Sequence, residues 1–403
     1  MERNYSYRRL LQVPRLLPLI LAATLSRLAG CMFVLTLILF AMVRFSSPAM
    51  AGWLTFAAFV PGLIASPIAG VLLDRAGPTT AVRIDMIASS ILIAAIILTD
   101  LAGFSSRPLL FLLVMLFSLT GPLGAAGTRT LLPRLVPAQA LDLAYALDTL
   151  SYAVAAIFGP SLAGAVGAWL GPQAAMTMIA GAYAAAAICL PRCQFLPVIA
   201  PMRTSFVCQT IEGIKMVARQ PTLRTLAVSY SLYQLTWGAL YVVVPVVIGD
   251  NSAKNTITIG TLWTAAGIAG GLGALAAGQM RTMGRERQVM AAGMIVTAIA
   301  AWPVAAECGH VGLTIGLVLA ALLSGPIDVA LLTLRQRRTD PLHLARVMSI
   351  SIGLNTAGFP LGSVIAGMFV AESPSASFVF ASVASAAAAA ATAFIPPEPA
   401  SMA

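Results

Sequence analysis

The chain has 403 residues, of which 59% are hydrophobic and only 9% charged, with a formal net charge of +10. Mean hydropathy is +0.91. A water-soluble protein of this length could not cover so much apolar surface, so a soluble enzyme is excluded, and apolar character along the whole chain excludes a single-span receptor.

Runs of about 20 apolar residues span a bilayer as helices. Bounded by charges or by Pro and Gly, such runs predict twelve helices. The first six cover 16–43, 50–73, 84–102, 108–128, 142–170 and 174–190. The second six cover 223–248, 257–280, 288–306, 311–334, 345–370 and 376–395. The runs are continuous, not alternating in ten-residue pieces, which favours helices over a barrel.

The basic residues set the orientation. Of the 24 Lys and Arg, only Arg44, Arg107 and Lys254 fall on one side of this map, and Arg27 lies inside the first helix. The rest fall on the other side, which places both termini in the cytoplasm, in a bacterial-type inner membrane. One missed crossing would scramble the asymmetry. The positive charge therefore reads as topology and contact with anionic lipid, not nucleic-acid binding. The basic, apolar N-terminus resembles a signal peptide, but its run is too long and eleven more follow.

The segment 195–222 is the longest weakly hydrophobic stretch and holds Pro197, Pro201, Glu212, Lys215 and Arg219. It divides the chain into an N-terminal six-helix bundle (1–195), a cytoplasmic linker (196–222) and a C-terminal six-helix bundle (223–403). Residues 208–219 predict a short amphipathic surface helix. The halves look repeated: Gly77 corresponds to Gly284, and Gly159-Pro160 to Phe359-Pro360. Two parallel six-helix halves are a transporter plan with the substrate site near the midplane.

The rare residues argue against a membrane enzyme and against cofactors. His310 and His343 are too few for a haem or histidine–metal site. Lys215 and Lys254 follow no glycine, so no phosphate-gripping loop is present. The five cysteines (Cys31, Cys189, Cys193, Cys208, Cys308) are odd in number, and Cys189 and Cys193 lack the spacing of a metal pair. No nucleophile–base pair is visible. Neither a metal nor another cofactor is expected.

The most specific local pattern is Gly70-Val71-Leu72-Leu73-Asp74-Arg75-Ala76-Gly77-Pro78, followed by Arg83, in the loop after the second helix. Gly70 permits close helix contact and Gly77 a tight turn. Asp74 beside Arg75 and Arg83 forms a charge cluster at the membrane surface; a plain positive-inside loop with one acid is the competing reading. The pattern Gly-x-Leu-x-Asp-Arg-x-Gly resembles the signature of the major facilitator superfamily, although Pro78 and Thr79 stand where that family usually continues with two basic residues. The resemblance implies a latch for the outward-facing state, with Asp74 pairing to Arg129 or Arg134 at the end of helix 4 and facing the N-terminus of helix 11. It also implies a functional monomer. Gly159-Pro160-Ser161-Leu162-Ala163-Gly164 in helix 5 resembles the Gly-Pro-x-x-Gly motif associated with exporters; a generic kink with small-residue packing is the alternative. Ser26-Arg27-Leu28, Leu131 to Pro137, Ile211-Glu212-Gly213-Ile214, Pro221 to Arg224 and Ala345 to Ser349 are similar to the branch that includes siderophore and macrolide exporters.

Charges inside membrane helices must face a cavity or a partner. Arg27 in helix 1 and Asp148 in helix 5 lie at matching ends and form either a structural pair or a site that meets cargo or a proton. Asp85 reads as a solvated end residue. Asp328, after Gly325-Pro326 in helix 10, is a candidate proton carrier or a hydrogen-bonded structural residue, since the resemblance places helices 1, 4, 7 and 10 around a central cavity. Tyr230, Tyr233, Gln234, Trp237 and Tyr241 share one face of helix 7, as cavity lining for an aromatic or amphiphilic cargo or, at Tyr241, as an interfacial belt. Asn355 and Thr356 in helix 11 are weaker candidates of the same kind.

Together these features predict a twelve-helix secondary transporter exporting a small organic molecule by proton antiport, with a siderophore, an antibiotic or a related amphiphile as cargo; Arg27 suits an anionic group on it. The alternatives are an importer for a metal–siderophore chelate or other solute, and a membrane sensor or scaffold without transport.

Overall fold

The computed structural model describes residues 10, 12–137, 141–191, 206–249, 253–279, 285–301, 309–339, 351, 353–370 and 372–396. These residues are all-α, without a strand. The helices of the first half are α1 (Leu16–Phe45), α2 (Pro48–Ala76), α3 (Pro78–Leu101), α4 (Arg107–Leu135), α5 (Leu141–Leu170) and α6 (Pro172–Cys189). After a linker helix (Phe206–Arg219) come α7 (Pro221–Ile248), α8 (Ala253–Gln279), α9 (Glu286–Ala301), α10 (Gly309–Arg337), α11 (Gly358–Phe369) and α12 (Pro374–Thr392). Ten of these are long and apolar enough to cross a membrane. Within the described residues α9 has 16 residues and α11 has 12, below spanning length.

Proline punctuates the helix starts. Pro78, Pro172 and Pro374 each occupy the first turn of a helix, where the missing N–H would have had no helical partner. Gly77 takes a left-handed φ of 79°, which turns the chain between α2 and α3. Ser106 and Ser373 cap α4 and α12 by accepting hydrogen bonds from the amides of Leu109 and Ala376. Consequently α3 begins six residues before its hydropathy boundary at 84, and Asp85 stands two turns inside the helix.

Contacts divide the chain into two compact units: residues 1–40 with 57–203, and residues 41–56 with 204–403. The break near 203 falls in the linker, whereas the start of α2 groups with the second unit, unlike the sequence division at 195. In that unit Gly52 lies against the Ser363 backbone, and a Cβ on Gly367 would stand 2.8 Å from the Pro48 carbonyl oxygen. In the first unit α3 packs on α4 and α6; in the second α9 packs on α10 and α12. The core of the first gathers Leu16, Leu19, Val82, Met86, Leu131 and Leu132; that of the second gathers Leu226, Met290, Met294, Ile327 and Leu331. On the linker helix Val217 is buried against Leu223 and Ala227, while Ile211, Ile214, Lys215 and Arg219 are exposed.

Small residues set the closest helix approaches, as expected where lipid removes any hydrophobic drive between helices. In α5, a Cβ on Gly159 would stand 2.6 Å from Cys31 of α1. In α11, Gly358 lies against the Ser231 carbonyl of α7 and Gly362 against that of Leu235. Gly159 and Gly358 each precede a helix proline, Pro160 or Pro360, and their partners Cys31 and Ser231 are 200 residues apart, so the repeat read from the prolines recurs in the packing. Hydroxyls bond backbone carbonyls across helices: Ser229 to Ala388 (2.8 Å), Thr236 to Ala381 (2.9 Å), Ser382 to Ala298 (2.7 Å) and Ser385 to Met294 (2.7 Å). The alanine-rich α12 is thus held on α7 and α9 by serines and close backbones. Gly358→Ala and Gly362→Ala should each cost about 1–3 kcal/mol by overpacking. Gly181→Ala, where no atom lies within 4 Å, should leave thermal unfolding in detergent unchanged.

Candidate functional site

The first unit holds a buried charge cluster built from α1, α4 and α5. Arg27 pairs with Asp148 at 2.6 Å, and the two side chains are 8% and 5% exposed. The Arg27 guanidinium also donates to the Asp148 carbonyl (2.9 Å), to the Ser151 hydroxyl and to Thr128 Oγ1 (3.4 Å). Its Cζ lies over the Tyr152 ring, 3.7 Å from the centroid, a favourable placement for a cation. Arg129 approaches the other carboxylate oxygen of Asp148 at 3.7 Å and the Tyr152 ring at 5.3 Å. Asp148 is therefore shared between two arginines, one buried and one half-exposed. Such a cluster satisfies its own charges, and the positive charge of Arg27 is matched inside the unit.

The latch residues distribute differently. Gly70, Asp74 and Arg75 fall in the last turns of α2, and the side chains of Asp74 and Arg75 lie outside the described residues. Gly77 forms the turn to α3. Arg83 donates to the Leu190 carbonyl at the end of α6 (2.9 Å), satisfying an acceptor the helix end leaves open. Arg129 reaches Asp148, and Arg134 is exposed in the last turn of α4. In α5, Gly159 and Gly164 are buried around Pro160, with Gly159 against α1.

The second unit holds an acid and an aromatic row. Tyr230 of α7 donates a hydrogen bond to Asp328 of α10. From Tyr230 the rings run to Tyr233 (5.7 Å between centroids), Trp237 (6.4 Å), Trp263 of α8 (6.5 Å), Tyr241 (3.8 Å, stacked) and Phe359 of α11 (5.3 Å). Tyr241 thus joins the row through Trp263, a residue with no signal on the face of helix 7. Tyr230, Gln234 and Trp237 are half-buried; Tyr233 has no exposed surface and packs in the core. Asn355, with its amide oxygen turned toward Arg335 and its nitrogen donating to the Ser351 carbonyl (3.1 Å), is buried, while Thr356 bonds the Gly353 carbonyl (3.1 Å). Tyr233 and Asn355 are thus enclosed, while the other candidates of the row keep some exposed surface.

Two residues depart from their sequence reading. Arg335, counted as a cytoplasmic loop residue beyond a helix ending at 334, is 1% exposed, because α10 continues to Arg337. Asp85, read as a solvated end residue, is 6% exposed, because α3 starts at Pro78. The prolines that begin the helices carried the signal for Asp85; hydropathy alone could not show it. Asp148→Asn should leave Arg27 buried without its counter-charge and cost about 3–5 kcal/mol. The double variant Arg27→Gln with Asp148→Asn should recover most of that loss in thermal unfolding of the purified protein.

The model of the Major Facilitator Superfamily matches residues 19–227 and 226–403. The chain is 62% identical over 400 residues, covering 99% of both chains, to a protein of Sinorhizobium fredii (strain NBRC 101917 / NGR234) described as the uncharacterized MFS-type transporter y4rN. It is 29% identical over 341 residues to the multidrug efflux pump Tap of Mycolicibacterium fortuitum, covering 79% of this chain and 78% of that one. Among solved structures it resembles the nucleoside transporter NupG, with a TM-score of 0.75 at 12% identity, covering 96% of this chain and all of the other. It also resembles a bacterial homologue of the lysosomal transporter Spinster, captured inward-facing and occupied, with a TM-score of 0.74 at 14% identity and coverage of 98% and 97%. With the family model matched across both halves of an all-α, multi-pass chain, this protein belongs to the Major Facilitator Superfamily of transporters.

Proposed function

We propose that the chain exports a small amphiphilic organic molecule across the inner membrane in exchange for protons, as a monomer working by alternating access with both termini cytoplasmic. A siderophore, an antibiotic or a related metabolite fits this cargo class. The observation that carries the reading is the Tyr230–Asp328 hydrogen bond at the end of the aromatic row in the second unit. A half-buried carboxyl beside half-buried aromatic rings offers one group to exchange a proton and a surface to bind a flat or amphiphilic solute. The charge asymmetry of the loops supports the orientation. The distant likeness to a multidrug efflux pump and the Gly159-Pro160 segment of α5 support the direction. The matched Arg27–Asp148 pair turns the choice of proton carrier toward Asp328 and removes the reason to expect an anionic cargo.

Inverted vesicles containing the protein, acidified inside, should accumulate a lipophilic aromatic dye. Loss of preloaded dye from the vesicle interior, with no accumulation on acidification, would mark an importer, and indifference of both movements to the protein would mark a sensor or scaffold. Asp328→Asn should abolish acid-driven uptake. Tyr230→Phe, which removes one hydrogen bond to a carboxyl, should lower it about tenfold, since such bonds are worth about 1.5–3 kcal/mol. Trp237→Ala should raise the dye concentration needed for half-maximal uptake. Reporter fusions should place both ends on the cytoplasmic face.

A further inference from the structure

Asp85 is, beside Asp148, a second acid inside the first unit, and neither the family signature nor the reading above uses it. It sits two turns into α3 and is 6% exposed. Among the described residues it makes no ion pair, and its Oδ1 has no hydrogen-bond partner. Its other oxygen occupies a niche on α4 that exists because residue 124 is glycine: a Cβ there would collide with Oδ2. The hydroxyls of Ser89 and Thr120, 3.5 Å apart, stand beside the carboxyl. The titratable groups facing it are Tyr183 of α6, 6% exposed, and beyond it Cys31 of α1.

Among the described residues, the cations of α1, α3 and α4 at this end of the unit are placed elsewhere. Arg83, on the same helix, donates to the Leu190 carbonyl, and Arg27 and Arg129 are taken up by Asp148. Arg134 is exposed at the end of α4. An ionised carboxylate so placed would lack both water and a counter-charge, an arrangement that membrane interiors do not sustain. A neutral carboxylic acid needs neither.

We propose that Asp85 is a proton-binding site of the first unit: its carboxyl carries a proton while it sits in the Gly124 niche, and releases that proton when α3 and α4 separate enough to admit water. The step balances as one O–H bond broken at Asp85 and one proton transferred to water. That this proton is one of those exchanged for cargo rests on the antiport reading above; occupancy of the site by a proton does not.

Infrared spectroscopy of the full-length protein in phosphatidylcholine vesicles at neutral pH tests the site directly. The C=O band of a protonated carboxylic acid should be present in the wild type, and Asp85→Asn should remove one carboxyl's worth of it. Gly124→Ala leaves the acid in the sequence but closes its niche, and should likewise lose or shift the band. A carboxyl band unchanged in either variant, with folding verified by the amide I band and thermal unfolding, would overturn the proposal, and each variant decides alone if the other does not fold. In acid-interior inverted vesicles Asp85→Asn should lower the rate of dye accumulation about a hundredfold, the low end for one proton-transferring group. If the wild type itself moves no dye, the transport reading fails while the infrared result still decides the site.

Discussion

An ionised side chain in the middle of a membrane helix costs about 2.5–3.5 kcal/mol on insertion scales, so every buried charge here needs a partner or must be neutral. The first unit meets that demand twice, in two ways. Asp148 lies between Arg27 and Arg129, with Ser151 and Thr128 taking further guanidinium hydrogens. Asp85 has hydroxyls nearby and, among the described residues, no ion pair. In the second unit Asp328 is bonded by a tyrosine, and Arg335 by the amide of Asn355. Where charge is matched by charge, the cluster holds helices in place. Where an acid is met by hydroxyls alone, losing or gaining a proton changes the local balance, and this is the physical difference between a structural pair and a candidate carrier.

The helices reach these partners because small residues bring their backbones together. Gly159 on α1, Gly358 and Gly362 on α7, and Gly124 beside Asp85 all stand where a methyl group would meet a neighbour. In lipid such close approach replaces the hydrophobic drive that would pack the same helices in water. The serines and threonines of α7 and α12 then bond carbonyls of adjacent helices without leaving polar groups exposed to hydrocarbon. The partners of Gly159 and Gly358, Cys31 and Ser231, are 200 residues apart, the spacing of the two helix prolines, so the repeat is a property of packing as well as of sequence.

Much of the fold was legible in the sequence because a bilayer imposes a simple code. Apolar runs of spanning length located the helices, and basic loops gave them a consistent sidedness. The motif that ends the second helix, with the segment around Gly159-Pro160, indicated the family to which the chain belongs. The site was less legible. The aromatic face of α7 was visible as a period of three and four residues, but its continuation through Trp263 to Tyr241 depends on how α8 packs against it. Tyr233 shares that face and is enclosed by the core, because helical period alone cannot distinguish a cavity from a contact.

By itself the sequence determined that the protein is a multi-pass, all-helical membrane protein with repeated halves, since those features follow from composition, run length and local spacing. Only the tertiary structure decided which charges are matched. Arg27 and Asp148 are 121 residues apart, and Asp85 and Gly124 belong to different helices. Arg335 and Asp85 looked like boundary residues until the true helix ends were known. Partnering in a low-dielectric interior depends on distances of a few ångströms between segments far apart in the chain, and no local pattern encodes those distances.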